Sequence, residues 1–160
     1  MMRTFTCLLV IAACGGDGDD SDVCVPDGNA QVSGEVMGRR YDGRHRARQV
    51  VTADSTPAGN AIGIVIDPDG TCTSAPPADS LLVEFCVAPT VGSYPIQGTL
   101  ACPGNSAIVI SQNATGNGEV EATSGSLEIE SVTASCVRGS YMAMFGAEPQ
   151  TVLFDATICP

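Results

Sequence analysis

The sequence predicts an all-β fold, an antiparallel β-sandwich or barrel-like domain of about nine or ten short strands, on three observations. First, 44% of the 160 residues are hydrophobic and 16% are charged. That is too apolar for a disordered chain and too poor in charge for a helical bundle or coiled coil. Second, from Gln31 onward the apolar residues come in short β-branched runs, with no sustained helical repeat. Third, 18 glycines and 10 prolines punctuate the chain. They form turn signals at Asp42-Gly43, Asp67-Pro68-Asp69-Gly70, Cys102-Pro103-Gly104-Asn105 and Gly116-Asn117-Gly118.

The strands follow in order. Residues 31–41 and 45–53 flank Asp42-Gly43, and 60–67 is a β-branched run stopped by Asp67-Pro68. Residues 80–87 are too short for a helix and are followed by Pro89, so a strand is expected there. Strands 91–98 and 106–112 come next, then 118–123 and 125–133. In the last two, Glu119, Glu121, Glu128 and Glu130 alternate with Val120, Leu127 and Ile129, the pattern of one wet face. Residues 136–145 put Tyr141, Ala143 and Phe145 on one face and Met142 and Met144 on the other. Both faces are apolar, which predicts a central strand with the last strand, 150–158, beside it.

The N-terminus carries a processing signal. One cation, Arg3, precedes an apolar run over residues 5–13, too short to span a bilayer as a permanent helix. Ile11-Ala12-Ala13-Cys14 resembles the lipobox of bacterial lipoproteins, in which the chain is cut before the cysteine and the cysteine is acylated. The resemblance implies a signal peptide over 1–13 and lipidation, palmitate included, at Cys14. Several acyl tails at about 0.8 kcal/mol per buried methylene make such an anchor permanent. Residues 14–23, glycine- and aspartate-rich, read as a flexible tether, and 24–160 as the folded domain. Asp17, Asp19, Asp20 and Asp22 miss the calcium-loop pattern, because positions six and twelve from Asp17 are Asp22 and Gly28.

Loss of Arg3 leaves six arginines against 18 acids, a net charge of −12, which excludes a nucleic-acid partner held by its phosphates. Cys7 leaves with the signal and Cys14 goes to lipid. Cys24, Cys72, Cys86, Cys102, Cys136 and Cys159 remain, an even set without a C-x-x-C pair, so disulfides are expected and a metal is not. Six cysteines allow 15 connectivities.

Ser33-Gly34-Glu35-Val36-Met37-Gly38, Gly92-Ser93-Tyr94-Pro95-Ile96 and Ser124-Gly125-Ser126-Leu127-Glu128-Ile129 are short segments of one pattern. Gly139-Ser140-Tyr141-Met142-Ala143-Met144-Phe145 and Leu153-Phe154-Asp155-Ala156-Thr157-Ile158-Cys159 complete it. Together they resemble predicted Gram-negative lipoproteins of unknown function that close a β-rich domain with similar segments. The resemblance implies an envelope lipoprotein and carries no catalytic residue. Gly15 after the lipidated cysteine implies export to the outer membrane.

Five arginines, Arg39, Arg40, Arg44, Arg46 and Arg48, lie within ten residues together with Tyr41 and His45. A two-residue turn at Asp42-Gly43 would set Tyr41 opposite Arg44, Arg40 opposite His45 and Arg39 opposite Arg46. Arg39, Arg46 and Arg48 would then share a face. With Arg44, this hairpin is the candidate contact for an anionic glycolipid or polymer, because guanidinium forks suit phosphate and carboxylate. The plain alternative is that the cluster offsets nearby acids and blunts a sheet edge.

No catalytic residue is expected. His45 is the lone imidazole and has neither a Gly-x-Ser-x-Gly elbow nor a free thiol beside it. The four glutamates read as a solvated face rather than a glycosidase pair, and Asp67-Pro68-Asp69-Gly70 as a turn rather than a calcium site. Asn113-Ala114-Thr115 is a glycosylation sequon without meaning in a bacterial envelope protein. The sequence therefore points to a membrane-anchored, non-enzymatic binding module of the cell envelope that needs no cofactor. A structural envelope protein is the alternative, and a hydrolase comes after it.

Overall fold

The computed structural model describes residues 28–36, 39–56, 59–68, 70–72, 80–99, 104–112 and 118–160. Eleven strands fall within them: β1 (Asn29–Val36), β2 (Arg39–Arg40), β3 (Gly43–Thr56), β4 (Gly59–Asp67), β5 (Leu81–Phe85) and β6 (Gly92–Gln97). β7 (Ala107–Gln112), β8 (Glu119–Glu121), β9 (Ser124–Val132), β10 (Cys136–Phe145) and β11 (Glu148–Ile158) follow. No helix is present among the described residues, so the all-β expectation holds. The signal peptide, the tether, Cys14, Cys24, Cys102 and the sequon lie outside the described residues.

The pairing runs β3, β1, β11, β10, β9, β6, β7, β5, β4 and back to β3, so one sheet closes on itself in a ring. β2 adds to β1, and β8 adds to β7. Pairing is antiparallel except at Ile96 beside Ala107 and where Thr157 and Ile158 run beside Arg48 and Gln49. Closure leaves few open edges for unwanted pairing. Pro95, which has no N–H, sits in β6, whose far side meets β7 at a single position.

Inward positions hold the core, including Ile64, Ile66, Val83, Phe85, Leu127, Ile129, Val152 and Phe154. Phe85 and Tyr94 meet edge to face, with ring centroids 5.4 Å apart. β9 alternates buried and wet residues, as its sequence pattern required, and β11 alternates too, with the apolar Leu153 on its wet side. β5 is buried on both faces, and a second apolar cluster of Val65, Leu82, Ile108 and Ile110 covers the opposite side of β4, β5 and β7. That is why these strands read as continuous apolar runs.

Three expectations change. The strand expected over 31–41 is two elements, because β2 folds back on β1 with Val36 beside Arg39 and Glu35 beside Arg40. The register expected about Asp42-Gly43 is therefore overturned: β3 pairs with the first half of β1, setting Gln31 beside Arg44 and Asn29 beside Arg46. Burial of Tyr41 is the physical reason. Its backbone N–H bonds to Gly34 O at 2.9 Å and its hydroxyl lies 2.9 Å from Ser111 Oγ, which takes it into the core instead of across from Arg44. Third, β10 is central by pairing, with β9 and β11 on its flanks, yet its methionine face is not covered: Met142 is 52% exposed.

Candidate functional site

The arginines of the cluster separate by environment. Arg39 pairs through its backbone with Val36, and the exposed Arg40 forms an ion pair with Asp42. Along β3, Arg44, Arg46 and Arg48 share the outward face, while Ala47 joins the core. Arg44 and Arg46 are exposed, whereas Arg48 is buried. Its Nη1 donates to Asp67 Oδ2 at 2.5 Å, and Asp67 is buried as well. Arg46 and Arg48 thus do not form an exposed patch together, because Arg48 is sealed against Asp67, and β2 pairs with β1 rather than with β3.

Gly70 explains the seal. A Cβ there would stand 1.6 Å from Arg48 Nη1 and 2.4 Å from both Asp67 oxygens, so only glycine passes this close over the ion pair. Two residues on, Cys72 is bonded to Cys159, which follows β11 and hydrogen-bonds through its N–H to Gln49 O at 3.1 Å. Gly70 is therefore a cap on a buried pair, and Asp67 offers its charge to Arg48. Cys86 and Cys136 are disulfide-bonded as well.

Arg44 lies on a different part of the same face. It borders a hollow of about 580 Å³ on the outer surface of β1, β10 and β11. Asn29 and Gln31 of β1, Leu153 and Asp155 of β11, Arg138 of β10 and Glu130 of β9 line it. Arg138 Nε donates to Asp155 Oδ1 at 2.8 Å and Nη2 to Oδ2 at 3.4 Å, a forked pair that fixes the floor. The side chain of Arg44 makes no ion pair or hydrogen bond with a described residue. Leu153 is 57% exposed and gives the hollow an apolar strip. Arg46 borders a second, smaller hollow of about 410 Å³ with Thr71 and Thr157, beside the sealed pair.

The other sequence candidates disperse. His45 is half-buried, with Nδ1 3.4 Å from Gly43 O. Glu119, Glu121, Glu128 and Glu130 are all exposed; Glu119 accepts from Gln112 Nε2 at 3.1 Å and Glu128 accepts from the Ser93 hydroxyl. No group of three or more metal-ligating side chains occurs among the described residues.

The interior holds a polar cluster that sequence reading did not single out. Tyr141 donates to Gln150 Oε1 at 2.9 Å, close to the Tyr41–Ser111 pair, and Gln150 Nε2 has no partner among the described residues. Burial, reinforced by Tyr41, pushes the Tyr141 phenol far above its ordinary pKa of 10.0. Sequence reading also missed Arg138, Asp155, Asn29 and Gln31 as neighbours of Arg44. Arg138 and Arg44 are 94 positions apart, and only the pairing of β3 with β1, β1 with β11 and β11 with β10 joins them.

No known protein family, curated protein or solved structure matches this chain.

Proposed function

We propose that the protein is a lipid-anchored, non-enzymatic binding module of the bacterial cell envelope that receives an anionic group at Arg44. The observation that carries this reading is the hollow beside Arg44. A guanidinium that is exposed and makes no ion pair with a described residue stands at the rim of a concave surface lined with amides and a forked Arg138–Asp155 pair. A guanidinium in that setting is a fork for carboxylate or phosphate. The dispersal of the four glutamates and His45 favours binding over catalysis.

The lipobox at Ile11-Ala12-Ala13-Cys14 supports the anchor and an outer-membrane location. Disulfides at Cys72–Cys159, Cys86 and Cys136 suit a domain that folds in an oxidising compartment. Mass spectrometry of the N-terminal peptide from native membranes is expected to find acylated Cys14; an intact Met1 contradicts the anchor.

The binding reading is tested by retention of the mature chain on lipopolysaccharide and heparin resins at low salt. Wild type is expected to be held, and R44Q/R46Q to elute with unchanged unfolding. Equal elution of the two proteins removes the anion contact and leaves a structural envelope role.

A further inference from the structure

The hollow beside Arg44 carries a more specific inference, which rests on the binding reading above. It holds two charges that make no ion pair or hydrogen bond with a described residue, and they are opposite: Arg44 on β3 and Glu130 on β9. Arg138 and Asp155 form a forked ion pair in the same hollow, and neither makes an ion pair with Arg44 or Glu130. Leu153, 57% exposed, supplies apolar surface at the same floor. From β3 to β9 the sheet steps through β1, β11 and β10. At about 4.8 Å per step, the two strands lie roughly 19 Å apart along the surface, a span that the two long side chains shorten from both ends.

A simple anion drawn to Arg44 would also meet the repulsion of Glu130 and of a chain whose net charge is −11. A ligand with a positive group as well meets neither penalty. We infer that this hollow takes a dipolar ligand: a carboxylate or phosphate on Arg44, an ammonium on Glu130, and an apolar stretch between them over Leu153. The charge pattern ranks a dipolar molecule above purely acidic and purely basic molecules of the same length, which Arg44 or Glu130 alone holds more weakly.

The test is a titration of the full mature chain with ω-amino acids of increasing methylene length, from γ-aminobutyrate to ω-aminooctanoate. Each is matched by the carboxylate and the amine of the same length, and side-chain chemical shifts of Arg44 and Glu130 report binding. One member of intermediate length is expected to bind about fivefold or more tighter than both of its matched controls, the scale of one exposed charge contact. R44Q is expected to reduce it to the level of the amine, and E130Q to the level of the carboxylate. Both side chains are exposed, so the variants keep their fold, which the unfolding midpoint checks.

A carboxylate that binds as tightly as its ω-amino acid, with both lost in R44Q, overturns the dipolar inference and leaves the anion reading standing. Absence of a shift at Arg44 and Glu130 across the series overturns the inference too. Retention on heparin that does not depend on Arg44 overturns the underlying reading.

Discussion

Arg44 and Arg48 lie on one strand and one face, four residues apart, yet their surroundings give them opposite work. Arg48 is sealed beneath Gly70 against Asp67, in a corner tied by Cys72–Cys159. Arg44 stands exposed at the rim of a hollow and makes no ion pair with a described acid. A run of like charges in a sequence is therefore not one patch on the surface. The cover that the fold lays over each residue decides whether its charge holds structure together or stays available to a ligand. A buried guanidinium without its carboxylate is costly, whereas an exposed one costs little to lose.

D67A leaves Arg48 buried without its carboxylate and is expected to cost about 3–5 kcal/mol in denaturant unfolding. A cost below about 1 kcal/mol would mean that the corner is not sealed. Next is the cap itself. Replacing Cys72 and Cys159 together by serine opens a link across 87 residues and is expected to cost about 2–4 kcal/mol in the same measurement. G70A, which forces a methyl against Arg48 and Asp67, is expected to cost about 1–3 kcal/mol.

A smaller effect comes from Tyr141, a third buried polar group but one kept neutral. Because the fold raises its pKa, the native state keeps a proton that the unfolded chain releases above the ordinary value of 10.0. The stability contributed is complete below that pH and declines above it, by up to about 1.4 kcal/mol per pH unit. Unfolding midpoints compared at about pH 9 and about pH 11 should therefore fall more steeply in wild type than in Y141F. Equal slopes would place Tyr141 in contact with water. Smallest is R44Q, expected to change stability by less than about 0.5 kcal/mol while removing retention on anionic resins.

Much of the fold was legible in the sequence because one-face burial leaves a period of two. In β9, Leu127 and Ile129 mark the core side directly and Glu128 and Glu130 the wet side, whereas Val152, Leu153 and Phe154 of β11 are apolar in succession and do not show that Leu153 faces outward. The apolar runs of β5 and β7 were legible as strands but not as doubly buried ones, since a continuous run does not say what lies over its second face.

The arginine cluster was visible, but its register was not. Asp42-Gly43 is a strong local turn signal, and a long-range contact, Tyr41 with Ser111, outweighed it. The neighbours of Arg44 in the hollow were hidden for the same reason. Gln31 is 13 positions away and Arg138 is 94, and only strand order brings them to one hollow.

The division between Arg44 and Arg48 is tested most directly by the side-chain Nε–H spectrum of the 15N-labelled chain, followed as a heparin oligosaccharide is added. The Arg48 signal is expected to exchange slowly with water and to stay in place, while that of Arg44 exchanges fast and moves with the ligand. Movement of Arg48 with the ligand, or a stationary Arg44, would contradict the account.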